Sequence, residues 1–466
     1  MTTLKKLCFL AATSLLALQA SAAAFSPALI EQGRYLATAS DCIACHSVHN
    51  GTPMAGGLRM ASPVGEIVST NITPSKQFGI GNYTEQQFAD ALRKGIRADG
   101  APLYPAMPYT AYAIMSDADV HALYAYFMQG VEPVDKATTT TSLPFPMNIR
   151  SSMHVWNALF LNDKPLTPEP ARSEQWQRGR YLAEGAAHCS TCHTPRGVLM
   201  QEKAGEFLGG AQVGSWYAPN ITSHATAGIG GWTEAELVQY LRTGRIAGKA
   251  QAAGSMAEAI SFSFSKMTDG DLQAIATYIK SVPPVDSGEK AARFGQGQPG
   301  HALDQLRGVG YKTAMQGQLQ GAQLFSANCA SCHGASAQGT KDSYYPSLFH
   351  NSATVNTSNL LATILLGVDR KTQEGHVFMP PFGKQANALN SLSNDEIASL
   401  ANYVQVQYGA GADAATVKAS DVEVIRQGGP ASHLLLLARL GMAAGLLAVI
   451  AIVVLIVRRR RRKVSA

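Results

Sequence analysis

The chain has 466 residues, 46% of them hydrophobic and 15% charged, with seven cysteines; the length suits roughly three domains. This apolar content excludes a disordered chain, and seven cysteines are too few for a disulfide-built scaffold of this size. The net charge of +6 misleads: nine of the 38 basic residues lie in the terminal segments, leaving 29 against 32 acidic ones, without the basic face that a nucleic-acid partner requires.

Residues 1–24 read as a secretory signal, with Lys5 and Lys6 as the basic start, Leu7–Leu18 as the apolar centre and Ala20–Ala24 as the cleavage region. Cys8 opens the apolar run and leaves with the signal. A first unit, 25–134, starts a helix at Gly33-Arg34-Tyr35-Leu36-Ala37, carries Cys42-Ile43-Ala44-Cys45-His46, and closes on a helix capped at Ser116. Residues 135–172 form a Thr- and Pro-containing linker with a short helix around Met153–Leu161. The second unit, 173–285, repeats the pattern with Gly179-Arg180-Tyr181-Leu182-Ala183, Cys189-Ser190-Thr191-Cys192-His193 and a cap at Thr268.

A second linker, 286–317, is rich in Gly and Gln. Its Gly295, Gly297 and Gly300 have dinucleotide-motif spacing, but no strand precedes them and Pro299 sits where the helix should open. The third unit, 318–410, is the divergent one: Gly321-Ala322-Gln323-Leu324-Phe325, Cys329-Ala330-Ser331-Cys332-His333 and a cap at Ser393. A tail, 411–433, leads to an apolar segment, 434–457, and a basic end, 458–466. Within the apolar segment, Leu440–Val457 is 18 residues without a charge, about 27 Å as a helix and close to a bilayer's hydrocarbon thickness. Arg439 can snorkel to the headgroups, and the Arg458–Lys463 run stays cytoplasmic. Both ends therefore predict an exported body held by one C-terminal span, with the basic end inside. Gly441 and Gly445 form a small-residue pair that suits a partner helix, although glycine is common in spans.

The flanks of the units are patterned too. Asp119, Asp271 and Glu396 stand three residues after the caps, the spacing of a capping box. Tyr126, Tyr278 and Tyr403 stand ten after them. A glycine on the first helix and an aromatic on the last suit two helices crossing closely. The first two units also share Asn71-Ile72-Thr73 with Asn220-Ile221-Thr222, and Gly79–Glu85 with Gly228–Glu234, at a constant offset of 149.

The six cysteines outside the signal all belong to three C-x-x-C-H pentads, 147 and 140 residues apart, so a domain-sized unit is repeated. This is the signature of covalent haem c attachment. Two thiols three positions apart reach both vinyl groups of one macrocycle, and the next residue, His, supplies the proximal nitrogen. Zinc would want further Cys or His pairs, and a redox C-x-x-C would not require His next in every copy. The pattern predicts three covalently bound haems, at Cys42, Cys45 and His46, at Cys189, Cys192 and His193, and at Cys329, Cys332 and His333.

A sixth ligand is expected from the loop before each closing helix, and a soft methionine thioether favours ferrous iron. Met115 and Met267 immediately precede their caps, where the third unit has Leu392, so that position is about packing. Met107, Met256 and Met379, which lie 9, 12 and 14 residues before the caps, are the chosen iron ligands. Water or a histidine is the alternative; His121, His188 and His376 are the nearby imidazoles, read as surface or supporting groups.

Taken with Tyr104-Pro105-Ala106-Met107-Pro108 and Cys192-His193-Thr194-Pro195-Arg196-Gly197, these motifs resemble the triheme cytochrome c subunits of bacterial membrane-bound alcohol and sugar-acid dehydrogenases over about residues 30–410. The resemblance implies a mainly α fold of three tandem class I cytochrome c domains plus one transmembrane helix. It implies electron transfer from a flavoprotein or quinoprotein (PQQ) catalytic subunit to ubiquinone or a terminal oxidase, with no substrate chemistry in this chain. The C-terminal span resembles the gluconate 2-dehydrogenase version, and a small third subunit is left open. Two other readings stay in view: an enzyme working at an open iron, and a free-standing anchored cytochrome.

Overall fold

The computed structural model of the chain describes residues 24–289, 291–300, 316–385, 387–388 and 390–464; the secretory-signal reading, apart from its last residue, lies outside them. In the first unit, α1 (Pro27–Ala39) begins where Ser26 accepts from the Leu29 N–H and Pro27 takes the first helical position, where no N–H is needed. A single turn, α2 (Cys42–Cys45), follows, then the hairpin β1 (Arg59–Ser62) and β2 (Gly65–Val68). α3 (Glu85–Lys94) opens on a reciprocal capping box between Thr84 and Gln87 and stops at Gly95 in the left-handed region. α4 (Tyr109–Tyr112) and α5 (Asp117–Ala125) close the unit, α5 widening into a π-helical turn over Tyr126–Gly130. The linker helix, α6 (Ser152–Phe160), lies where the sequence placed it.

The second unit repeats this order with α7 (Glu174–Tyr181), α8 (Ser190–His193), β3 (Ala211–Val213), β4 (Trp216–Ala218), α9 (Glu234–Thr243), β5 (Arg245–Ile246), β6 (Ala250–Gln251), α10 (Gly254–Phe262) and α11 (Asp269–Ser281). The third has α12 (Gln316–Asn328), α13 (Ala330–His333), α14 (Ser352–Val355), α15 (Thr357–Leu366), β7 (Val368–Thr372), β8 (Gly375–Met379) and α16 (Asn394–Tyr408). α17 (Ala419–Arg426) follows and packs Val422 and Ile425 into the same core as α16. Last comes α18 (Leu434–Val464), long and apolar enough to cross a membrane, with none of its apolar window buried. The chain is mainly α: strands among the described residues form only two-stranded antiparallel hairpins.

First and last helices cross in each unit, α1 on α5, α7 on α11 and α12 on α16, at the glycines singled out above. A Cβ on Gly33 would stand 1.9 Å from the Ala122 carbonyl oxygen, one on Gly179 1.9 Å from that of Ala274, and one on Gly321 2.6 Å from that of Ser399. Only a missing side chain permits this approach. The Cβ atoms of Tyr126, Tyr278 and Tyr403 lie against the same three glycines.

Capping differs from the sequence expectation in a consistent way. Ser393 and Glu396 form the complete box. Ser116 and Thr268 accept from the Asp119 and Asp271 N–H groups, but these shorter carboxylates do not return to the cap. A tyrosine from the other unit takes that place. Tyr181 donates to Asp119 Oδ2 at 2.5 Å and accepts from the Ser116 N–H at 2.9 Å. Tyr35 donates to Asp271 Oδ2 at 2.6 Å and accepts from the Thr268 N–H at 3.3 Å. The first two units thus meet through a two-fold-like exchange of the same residue, and one continuous apolar core runs through both. At Tyr35 and Tyr181 the third unit has Gln323, and its core is separate.

The shared Asn-Ile-Thr motif anchors the chain leaving each closing helix. Buried Asn71 donates to the Val134 and Lys136 carbonyls, and buried Asn220 to the Val285 carbonyl and the Ser287 hydroxyl. The third unit joins the second through Arg370 of β7. This side chain is 1% exposed, and its guanidinium donates to Ala252 O at 2.6 Å and to Gln251 Oε1 at 3.0 Å.

Candidate functional site

α2, α8 and α13 are each a single helical turn, which puts cysteines three apart on one side and carries the following histidine back beneath them. The turn closes in every copy: the His46, His193 and His333 N–H groups donate to the Cys42, Cys189 and Cys329 carbonyls at 2.9–3.0 Å. Each imidazole then bonds to backbone. His46 Nδ1 is 2.7 Å from Thr70 O, His193 Nδ1 2.7 Å from Pro219 O, and His333 Nδ1 2.8 Å from Pro346 O. A carbonyl only accepts, so Nδ1 holds the proton and the Nε2 lone pair is left for a metal.

The electrostatics agree with that assignment. Desolvation lowers the pKa of all three histidines, that of His193 to about 4, despite the opposing backbone hydrogen bond. The rings are therefore neutral at pH 7, the form that ligates metal. Burial pushes the Cys42, Cys189 and Cys329 thiols up to about 12 and Cys45 to about 11. Thiol exchange needs the opposite shift. All six cysteines are free. The donor set, two neutral thiols and an Nε2 lone pair on one turn, fits a covalently attached haem.

In the second unit one cavity brings together Cys189, Cys192, His193 and Met256, walled by Ile229, Leu237, Leu241 and Phe264. Met107 packs against the core that Cys42 joins, and Met379 against the core that Cys329 joins. The expected loop position holds for Met107 alone. Met256 sits in the first turn of α10, and Met379 ends β8 opposite Val368. Met256 belongs to the helix that buries Ala257 and Ile260, and Met379 is held by its ladder pairing with Val368. Met115, Met267 and Leu392 are 3%, 2% and 4% exposed, as a packing position requires. Their carbonyls are each held by an arginine that also bonds the first residue of the closing helix. Arg93 and Arg242 serve from α3 and α9, and in the third unit Arg426 serves from α17.

Of the nearby histidines, His121 and His376 are exposed partners of Glu85 and Asp369. His188 is half-buried, its ring edge-on to Tyr112 of the first unit at 5.7 Å. His188 and Asp41, each just before its pentad, have positive φ of 36° and 50°. Asp41 lines the second unit's cavity beside Cys192. Burial, then Glu258, holds its carboxyl well above the usual range. Sequence reasoning missed this residue and also Arg293. Arg293 leaves the presumed linker to line the cavity and donates to Ala227 O at 2.6 Å and Asn220 O at 3.0 Å. A lone Arg-Phe pair in a Gly- and Gln-rich stretch was the available signal.

Comparison with known proteins gives the same answer. A family profile described as Cytochrome c matches residues 177–283 and 319–407. The fructose dehydrogenase cytochrome subunit of Gluconobacter japonicus is 46% identical over 420 residues, 89% of this chain and 86% of that one. The gluconate 2-dehydrogenase cytochrome c subunit of Pantoea cypripedii is 38% identical, covering 86% and 90%. The cytochrome c subunit of the alcohol dehydrogenase (quinone) of Gluconobacter oxydans (strain 621H) is 37% identical, covering 86% and 83%. The chain belongs to this family of dehydrogenase cytochrome c subunits, with covalently bound haem c as its cofactor.

Proposed function

We propose that the chain is a three-haem electron carrier built from tandem class I cytochrome c domains at 25–134, 173–285 and 318–410, separated by linkers 135–172 and 286–317. Cys42 and Cys45, Cys189 and Cys192, and Cys329 and Cys332 hold the haems. His46, His193 and His333 would ligate the irons through Nε2, and Met107, Met256 and Met379 would supply a thioether to each. The observation that carries this reading is the threefold imidazole Nδ1 to backbone carbonyl bond, which prepares Nε2 in every copy. Bound haem c supplies a one-electron couple.

The protein's part is to bind, orient and exclude water. Nδ1–H donation fixes each imidazole and raises its basicity. The apolar wall of the second cavity lowers the local dielectric, and Arg293 offers a cation to the haem carboxylates. Asp41, adjacent in the chain to Cys42, shares that cavity with His193, which supports a short transfer distance between the first and second sites.

Electrons enter from a dehydrogenase catalytic subunit. A sugar-oxidising partner is favoured by the 46% identity to the fructose dehydrogenase relative, against 37% to the quinone-type alcohol relative, and the resemblance to the gluconate 2-dehydrogenase cytochrome supports a flavin in that partner. Electrons leave to ubiquinone, with α18 as the inner-membrane anchor and the haem domains on the periplasmic side. Intact-mass analysis of the mature chain tests the reading. Three haem additions are expected, and two or fewer would overturn it. Copurification from solubilised membranes with a flavin-bearing chain supports the complex; a PQQ-bearing chain replaces the flavin partner, and a lone haem protein replaces the complex by a shuttle.

A further inference from the structure

Among the described residues outside α18, every large apolar side chain more than half exposed falls in one of two segments. The first linker contributes Phe145, Ile149, Val155 and Leu159, at 55%, 40%, 64% and 65% exposure, and the loop after α8 contributes Val198 and Leu199, at 72% and 51%. The two segments are joined by Trp156, whose indole N–H donates to Leu199 O at 2.8 Å. α6 carries large apolar side chains on both its inner and outer sides, with Ser152, His154 and Asn157 between them. Trp156 meets Tyr109 edge-on, while Val155 and Leu159 face outward. Residues 142–161 carry one charge, Arg150, and its guanidinium lies over the Tyr104 ring at 4.6 Å. An exposed apolar patch of this kind marks a membrane or a partner.

Arg439 discriminates between these. Its Nε donates to Phe145 O at 3.1 Å. Arg439 stands one residue before the uncharged Leu440–Val457 run, at the end opposite Arg458–Lys463. That bond sets the linker backbone at the depth of the outer headgroup layer, where snorkelling arginines lie. We infer that residues 143–161, with Val198 and Leu199, rest on the lipid bilayer and bury Phe145, Ile149, Val155 and Leu159 at the boundary of headgroups and acyl chains. This rests on the reading of α18 as a span. Val198 follows His193 by five residues, so the contact holds the second haem site close to the membrane surface.

The test uses the full haem-loaded chain in phosphatidylethanolamine–phosphatidylglycerol vesicles doped with a phospholipid bearing a diazirine on its acyl chain. After illumination, labelled peptides are mapped by mass spectrometry. Label is expected on 143–161 and 198–199 as well as on 434–457. Label confined to 434–457 would overturn the inference while leaving the anchor intact; no label on 434–457 would remove the anchor and the inference with it. The chain with Val155→Glu and Leu159→Glu should lose most label on 143–161, keep that on 434–457, and retain its haem spectrum. In the complete dehydrogenase complex the linker label should persist; its disappearance there would assign the patch to the catalytic subunit instead.

Discussion

Replacing Tyr181 by Phe removes one hydroxyl and no packing volume, so it isolates the bridge between the first two units. That hydroxyl gives Asp119 its short bond and caps the Ser116 N–H. The remaining side-chain partner of Asp119 in the fold is Gln32, at 3.3 Å. The mirror variant, Tyr35→Phe, leaves Asp271 with two 2.8 Å bonds from Arg178. A hydrogen bond to a charged group contributes about 1.5–3 kcal/mol and a neutral one about 1. Tyr181→Phe should therefore cost about 2 kcal/mol and Tyr35→Phe about 1. The two units share one core and melt as a body of more than about 200 residues, where each kcal/mol moves the midpoint by about 2–4 °C, giving losses of about 4–8 and 2–4 °C. Burial first, and Asp119 next, raise the Tyr181 pKa to about 12, so the phenol stays protonated and donates at any neutral assay pH. Far-UV circular dichroism melts of the haem-loaded chain in detergent read both numbers. Equal losses would refute Arg178 as the compensating partner, and no loss in either variant would refute the bridge.

Gly179→Ala places a methyl 1.9 Å from the Ala274 carbonyl, a backbone atom that cannot swing aside. The crossing must open at a cost of about 1–3 kcal/mol or more, and haem content per chain should fall further than for Gly321→Ala, where the gap is 2.6 Å. Met379→His and Met107→His should each lower one midpoint in a potentiometric titration and remove about a third of the far-red ferric–thioether absorption; unchanged spectra would mean that water or another residue holds the sixth position. Desolvation raises the Asp271 carboxyl, but the hydrogen bonds from Arg178 and Tyr35 outweigh it and hold its pKa below the usual range. The stability it contributes is therefore complete above the unfolded value of about 3.9 and lost as pH falls through the folded one. Urea unfolding at stepped pH should show that loss in the parent chain and not in Asp271→Asn.

The geometry of the three C-x-x-C-H turns was legible because the pattern is local. Cys, Cys and His at fixed spacing meet on one helical turn whatever surrounds them. The close helix crossings were legible for the same reason, since a glycine and a tyrosine at repeated offsets already imply which backbones touch. The capping residues were half legible. Ser116, Thr268 and Ser393 cap as their spacing requires, yet only Glu396 reaches back to complete its box. Asp119 and Asp271 are a methylene shorter and turn instead to tyrosines 62 and 236 residues away. Nothing in a window of a few residues predicts such a partner.

By itself the amino-acid order determined three C-x-x-C-H turns, their imidazoles, the helix caps and a terminal apolar helix, because each depends on groups within a turn or two of one another. Only the tertiary structure decided that two units share a core while the third keeps its own, and that Arg293 leaves its linker to wall a cavity. It also lodged Arg370 in the neighbouring unit and brought Phe145 to Arg439 across 294 residues. Those outcomes depend on which buried surfaces fit together after the local elements have formed, and shape complementarity between distant segments has no periodic signature along the chain.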